Sequence, residues 1–294
     1  MPRPRPILLA ALLLCAAAPP VPTPNEIVVA APASAWRAVP AEDLLVMVLG
    51  DGRQVLIQLA PAFAPVHVGN IRALARAGWW DGAAIVREQD DYVVQWARMP
   101  EGQALPAGVA AHPPAEYDRP AAGLPIVPLG FPDSYAPKAG WAGGWPVAGD
   151  GSRTWLTHCY GMVGVGRDMP PDTGSGEELY AVNGQAPRQL DRNIALVGRV
   201  VDGMAVLSAL PRGTAALGFY ADPAQRLPIR SVRVAADLPP TERPRLEVLD
   251  PASPAFAAAL SARASRRDPF FVRPAGMTDL CNVPVPARIG HTAR

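Results

Sequence analysis

The chain has 294 residues and a net charge of +1, so it can fill one sizeable core or two small ones and carries no overall field for nucleic acid or an acidic membrane. Its 36 prolines argue against long helices and for strands joined by rigid turns. Lys138 is the only lysine; with 27 basic residues against 26 carboxylates, the arginine excess reads as codon bias.

Arg3 and Arg5 precede an apolar run from Ile7 to Ala18, too short to span a bilayer but suited to the core of a signal peptide. Residues 1–18 are therefore expected to direct export to the periplasm and to be removed near Ala16–Ala18. Cys15 offers a lipid-anchor alternative, which the bulk of Leu14 before it opposes. Residues 19–40, opening with Pro19 to Pro24, read as a linker. Export would leave Cys159 and Cys281 in an oxidising compartment, where a disulfide could persist. In the chain-entropy model such a bridge is worth roughly 4 to 5 kcal/mol. Two buried thiols are the equal alternative.

Leu44–Leu49 and Gln54–Leu59 flank Gly50-Asp-Gly-Arg53 and read as a hairpin. Pro65 to Ala77 places Val68, Ile71, Leu74 and Ala75 on one helical face, with Pro65 early and Gly78 just past the end. Gly82 then leads into a strand that carries Arg87 and continues through Tyr92-Val-Val-Gln-Trp96. With plain alternation, Ile85 and Arg87 share one face and Ala84 and Val86 the other, so the guanidinium stands among side chains that bury. The bland account is an arginine with its stem on apolar surface and its head in water.

Residues 97–154 are rich in Pro, Gly and Trp and show no sustained periodicity; Trp141 and Trp145 favour packing over disorder in this long insertion. Gly161–Gly166, Leu179–Val182 and Ala195–Val201 read as strands, Gly203–Leu210 as a helix ending near Pro211, and Ile229–Val234 as a last strand. Residues 237–294 form a Pro-rich extension with one helix, Pro254 to Arg266.

Several chemistries find no support. There is no Gly-x-Ser-x-Gly elbow, and Gly161, Gly164 and Gly166 do not sit between a strand and a helix as a dinucleotide-binding loop requires. His67, His112, His158 and His291 lie far apart, with no pair at metal-ligand spacing, so neither a metal nor another cofactor is expected. Glu177 and Glu178 are adjacent and on a strand would point to opposite faces.

The order of segments from about Leu44 to Ala235 resembles the cyclophilin family of peptidyl-prolyl isomerases. The resemblance is carried by Ala64-Pro-Val-His-Val-Gly-Asn-Ile71 with Leu74, by Ile85-Val-Arg-Glu-Gln-Asp-Asp-Tyr-Val-Val-Gln95, and by a third stretch. That stretch runs from Gly161-Met-Val-Gly-Val through Pro171–Tyr180 to Leu190-Asp191, Val197–Val201 and Gly203-Met204. It implies a mainly β fold: a closed eight-stranded antiparallel barrel capped by two α-helices over residues 41–236, interrupted by the long insertion.

By the same resemblance Arg87 matches the catalytic arginine and Gln95 the glutamine that orients it. Tyr92 and Val93 match proline-pocket positions usually held by Phe and Met. Glu178, Leu179 and Tyr180 match a Gln-Phe-Phe tripeptide, and Leu190 keeps the pocket-wall leucine. Three positions depart: Glu178 replaces Gln, Gln189 stands where Trp is common, and Ile194 where His or Tyr is common. The implied activity is cis-trans isomerisation of X-Pro bonds in unfolded or extended exported polypeptides, with Arg87 favouring the twisted amide. The alternative is a cyclophilin-like peptide-binding module or holdase with little or no turnover.

Overall fold

The computed structural model describes residues 21–290, so the expected signal peptide and Cys15 lie outside the described residues. The barrel strands, numbered in chain order, are β1 (Leu44–Leu49), β2 (Gln54–Leu59), β3 (Ala84–Gln89) and β4 (Tyr92–Ala97), followed by β5 (Met162–Val165), β6 (Leu179–Asn183), β7 (Leu196–Asp202) and β8 (Leu227–Val234). They close in the order β5-β6-β4-β3-β8-β1-β2-β7, with every pairing antiparallel. Closure leaves no free sheet edge. Alternate residues point inward: Leu45 and Met47 of β1, Val94 and Trp96 of β4, Val163 and Val165 of β5, and Leu179 and Ala181 of β6 fill one apolar interior.

The Pro65–Arg76 helix covers one opening, burying Val68, Ile71, Leu74 and Ala75 as the periodicity predicts. Its own Ala64 offers no cap. Glu116 of the insertion supplies one instead, accepting from the backbone N–H groups of Val66 and His67, each at 3.0 Å. A carboxylate at a helix N-terminus satisfies open donors and complements the helix dipole. The expected Gly203–Leu210 helix is a single turn, Met204–Leu207. It ends at the Ser208 C-cap, whose N–H donates to the Met204 carbonyl.

The insertion is a second sheet. Segments 119–120, 127–128, 138–142, 145–149 and 153–156 form five strands, the central hairpin turning at Gly143-Gly144, both with positive φ. Trp145, Val147 and Leu156 pack on the outward Met162, Tyr180, Val182 and Leu196 of the barrel. Arg199 is sealed in this contact under the Trp145 ring at 4.7 Å, donating to Gln58 Oε1 and to the Gly144 carbonyl. Burial pulls its pKa down to about 10.

The expected linker, residues 19–40, is a correction: its described part holds a helix, Pro24–Val29, with a Thr23–Glu26 capping box, and a strand, Trp36–Ala38. That strand pairs with Arg245–Leu249, which pairs in turn with Ala287–Gly290, so the two ends of the chain build one small sheet. Pro254–Ala264 is the expected C-terminal helix; its Phe256 packs edge-on against Trp141 at 4.9 Å. Cys159 and Cys281 form a disulfide across 122 residues, tying this unit to the segment that leads into β5. Replacing both cysteines by serine is predicted to lower the unfolding free energy by about 4 to 5 kcal/mol. Urea denaturation of the oxidised wild type and the double variant measures the difference.

Candidate active site

Arg87 reaches the site through an irregularity. Ile85 lies opposite Trp96 but Arg87 lies opposite Gln95, so Val86 is an extra residue in β3, a β-bulge. The bulge corrects the plain-alternation reading. Ile85 points into the barrel, whereas Arg87 points outward beside Gln95 of β4, and Glu88 is sent back to the interior, where Asn183 Nδ2 donates to it at 2.7 Å.

The guanidinium is held on three sides. Nε donates to the Leu217 carbonyl at 2.6 Å, Nη1 to Gln95 Oε1 at 3.1 Å, and Nη2 to Gln89 Oε1. Since an arginine offers five N–H donors, two remain for a ligand. The rings of Tyr92 and Phe219 stand 5.6 and 5.3 Å from its carbon. Burial pushes the guanidinium pKa down, opposed by Tyr92, yet arginine stays protonated in proteins.

Gln95 is 8% exposed and is itself held, its Nε2 donating to Glu178 Oε2 at 2.8 Å. Arg87, Gln95 and Glu178 thus form a chain across β3, β4 and the start of β6. Glu178 fits because residue 166 is glycine: a Cβ there would stand 2.9 Å from the Glu178 Cβ and Oε2. Burial, then the like charges of Glu101, Glu177 and Asp168, push the Glu178 carboxyl up against the lowering effect of the Gln95 bond.

Val93 and Tyr180 lie on the same outward face, 2% and 5% exposed, in one apolar cluster with Phe63, Trp145 and Leu156; Ile194 is half-buried against it. Gly164 makes room for the Tyr180 ring, which a Cβ would meet at 2.3 Å. The phenol lies 3.0 Å from His158 Nε2, and His158 Nδ1 lies 3.0 Å from Asp191 Oδ1. Asp191 in turn accepts from Arg188, which also bonds Asp133 of the insertion. This buried chain fixes the short 3-10 turn Arg188–Leu190 and hence the half-buried Leu190.

Leu179 is a correction. It pairs with Trp96 and faces the barrel interior, because Glu178 and Tyr180 take the outward positions on either side of it. From there it packs in the barrel core and not on the outward face. Leu217, Phe219, Gln89 and His158 are site neighbours that the sequence reading missed. Phe219 lies in a loop with no periodicity, brought to Arg87 by an isolated bridge. Among the described residues no group of three or more His, Cys, Asp or Glu side chains is placed to hold a metal.

An eight-stranded antiparallel barrel with an outward arginine anchored by glutamine beside an apolar floor defines a cyclophilin-like protein. Residues 44–234 match the model of the cyclophilin-type peptidyl-prolyl cis-trans isomerases, and the chain belongs to that family. The crystal structure of the cyclophilin AquaCyp293 from Hirschia baltica is similar at 21% identity and a TM-score of 0.67, over 88% of this chain and 95% of that one. The likeness in fold thus reaches beyond the segment that the family model matches. A Cryptosporidium parvum cyclophilin-type isomerase crystallised in the presence of the dipeptide Ala-Pro is similar at 12% identity and a TM-score of 0.41, over 65% of this chain and 98% of that one. No curated protein matches the chain.

His158 spans Asp191 and the Tyr180 hydroxyl, so the phenol is the hydrogen-bond partner of His158 Nε2. Tyr180→Phe is predicted to cost about 1 to 3 kcal/mol of stability by leaving a buried nitrogen unpaired. The ring is retained, so affinity for a prolyl peptide should be unchanged. Denaturant melts and peptide titration separate the two effects.

Proposed function

We propose that the chain catalyses isomerisation of X-Pro bonds in exported, unfolded or extended polypeptides, with Arg87 as the donor that favours the twisted amide. The observation that carries this reading is the Arg87 guanidinium: fixed on three sides, facing outward between the rings of Tyr92 and Phe219, and keeping two N–H groups uncommitted.

Rotation about an X-Pro bond must cross ~18 to 20 kcal/mol because planarity is held by amide resonance. Twisting breaks that resonance and leaves a lone pair on a pyramidal proline nitrogen. A donor already in place for that lone pair stabilises the twisted state more than the planar ones, which is what accelerates the exchange. No bond to the protein forms and no proton need move. Val93, Tyr180, Leu190 and Ile194 would receive the proline ring, with Tyr92 beside the guanidinium. Removing one oriented donor costs about 3 to 4 kcal/mol of barrier lowering.

Export is supported by the Ile7–Ala18 run after two arginines and by the Cys159–Cys281 disulfide, since disulfides persist in oxidising compartments. The second reading, a peptide-binding module with little turnover, is motivated by the departures at Glu178 and Gln189 from the residues common in the family.

NMR exchange on an alanyl-proline peptide decides between them. The wild type should accelerate exchange and Arg87→Ala should lower the acceleration about 100- to 1,000-fold; binding without acceleration selects the module. Fractionation of expressing cells should find the shortened chain in the periplasm, and full-length protein in the cytoplasm would contradict export.

A further inference from the structure

We propose that Glu178 is a positioning residue for the isomerase: it fixes the side-chain amide of Gln95 so that the amide oxygen, and not its nitrogen, faces Arg87. The inference rests on the reading of Arg87 as donor to the prolyl amide.

A side-chain amide can turn end for end at little intrinsic cost, exchanging an acceptor for two donors. Arg87 has only donors, so a nitrogen-facing Gln95 would leave Nη1 without its 3.1 Å acceptor and set N–H against N–H. Arg87 alone can choose the orientation only by spending its own interaction on it. Glu178 chooses it from the other end: an ionised carboxylate accepts only, so at 2.8 Å it requires Gln95 Nε2 and thereby turns Oε1 toward the guanidinium. The carboxylate also polarises the amide it holds, strengthening the acceptor presented to Arg87.

The arrangement is built into the backbone. Gly166 leaves the space in which Glu178 folds against Gln95, and Gln95 is buried, so water does not compete freely for either end of the amide. The charged groups facing the carboxylate are Glu101 after β4, Glu177 beside it and Asp168 after β5, all of like sign, with Arg87 beyond Gln95. Burial and these charges raise the pKa of Glu178 above the ordinary carboxylate value. As pH falls through that raised value the group becomes an acid that can itself donate, and the requirement on Gln95 is lost. Turnover should therefore fall as pH drops, while ordinary carboxylates are still ionised.

The test uses the mature chain and an alanyl-proline peptide, following kcat and KM from mildly acidic to neutral pH for wild type, Glu178→Gln, Glu178→Leu and Arg87→Ala. Glu178→Gln, which like the protonated acid can donate as well as accept, should show the lowered acid-limb kcat at every pH and so lose the pH dependence. Glu178→Leu should lower kcat about tenfold with KM little changed, the worth of one hydrogen bond. The Gln95 side-chain amide resonances should titrate with the acid limb in the wild type and not in Glu178→Gln. If Arg87→Ala exchanges the peptide as fast as wild type, the reading of Arg87 fails. If Arg87→Ala is inactive while Glu178→Leu keeps the wild-type kcat and Glu178→Gln the wild-type pH profile, Arg87 stands and the role given to Glu178 is overturned.

Discussion

One extra residue in β3 decides what this barrel can do. Without the bulge at Val86, Arg87 would follow Ile85 into an interior filled by Trp96, Val94 and Val165, where burying a cation is costly. With it, the guanidinium emerges opposite Gln95 and takes the Leu217 carbonyl and Gln89 as further anchors. Fixing a long side chain on three sides removes its freedom before a ligand arrives. In the proposed reaction such pre-organisation means that the donor need not reorganise as the amide twists.

The rest of the chain packs beside and over that outward face. The insertion lies on the outer surface of β5, β6 and β7, with Trp145 over Arg199 and Leu156 in the cluster that holds Tyr180. Glu116 joins the insertion to the Pro65–Arg76 helix, and the chain Tyr180–His158–Asp191–Arg188–Asp133 joins it to the floor. The small sheet made from both chain ends rests on Trp141 of the insertion and is pinned by the disulfide. Removal of water by these layers strengthens the polar contacts within them.

Much of this was legible in the sequence where the signal is local. The Gly50–Arg53 hairpin, the Pro65 helix and the alternating strands carry their own periodicity and turn residues, and Arg87 and Gln95 are brought together as their resemblance to a known pattern implies. The bulge was not legible, since plain alternation has no term for a pairing that skips a residue. The inward turn of Leu179 was readable from alternation, because Glu178 and Tyr180 flank it, but matching the tripeptide as a block concealed it. The insertion's strands are two to five residues long and rich in Gly and Pro, too short for periodicity to register; the Gly143-Gly144 pair between two tryptophans was the usable sign. Pairing of Trp36 with Leu249 and capping by Glu116 depend on contacts distant in sequence, which no local pattern reveals.

In the proposed reaction the outward guanidinium of Arg87 is the group that meets the prolyl amide. The direct measurement is the NMR signal of the Arg87 guanidinium during titration with an alanyl-proline peptide, set beside the same titration with the peptide's proline replaced by alanine. The Arg87 Nε and Nη resonances should shift in a way that saturates with the prolyl peptide and is absent with the control. Binding of the prolyl peptide that leaves those resonances unmoved would contradict this role of Arg87.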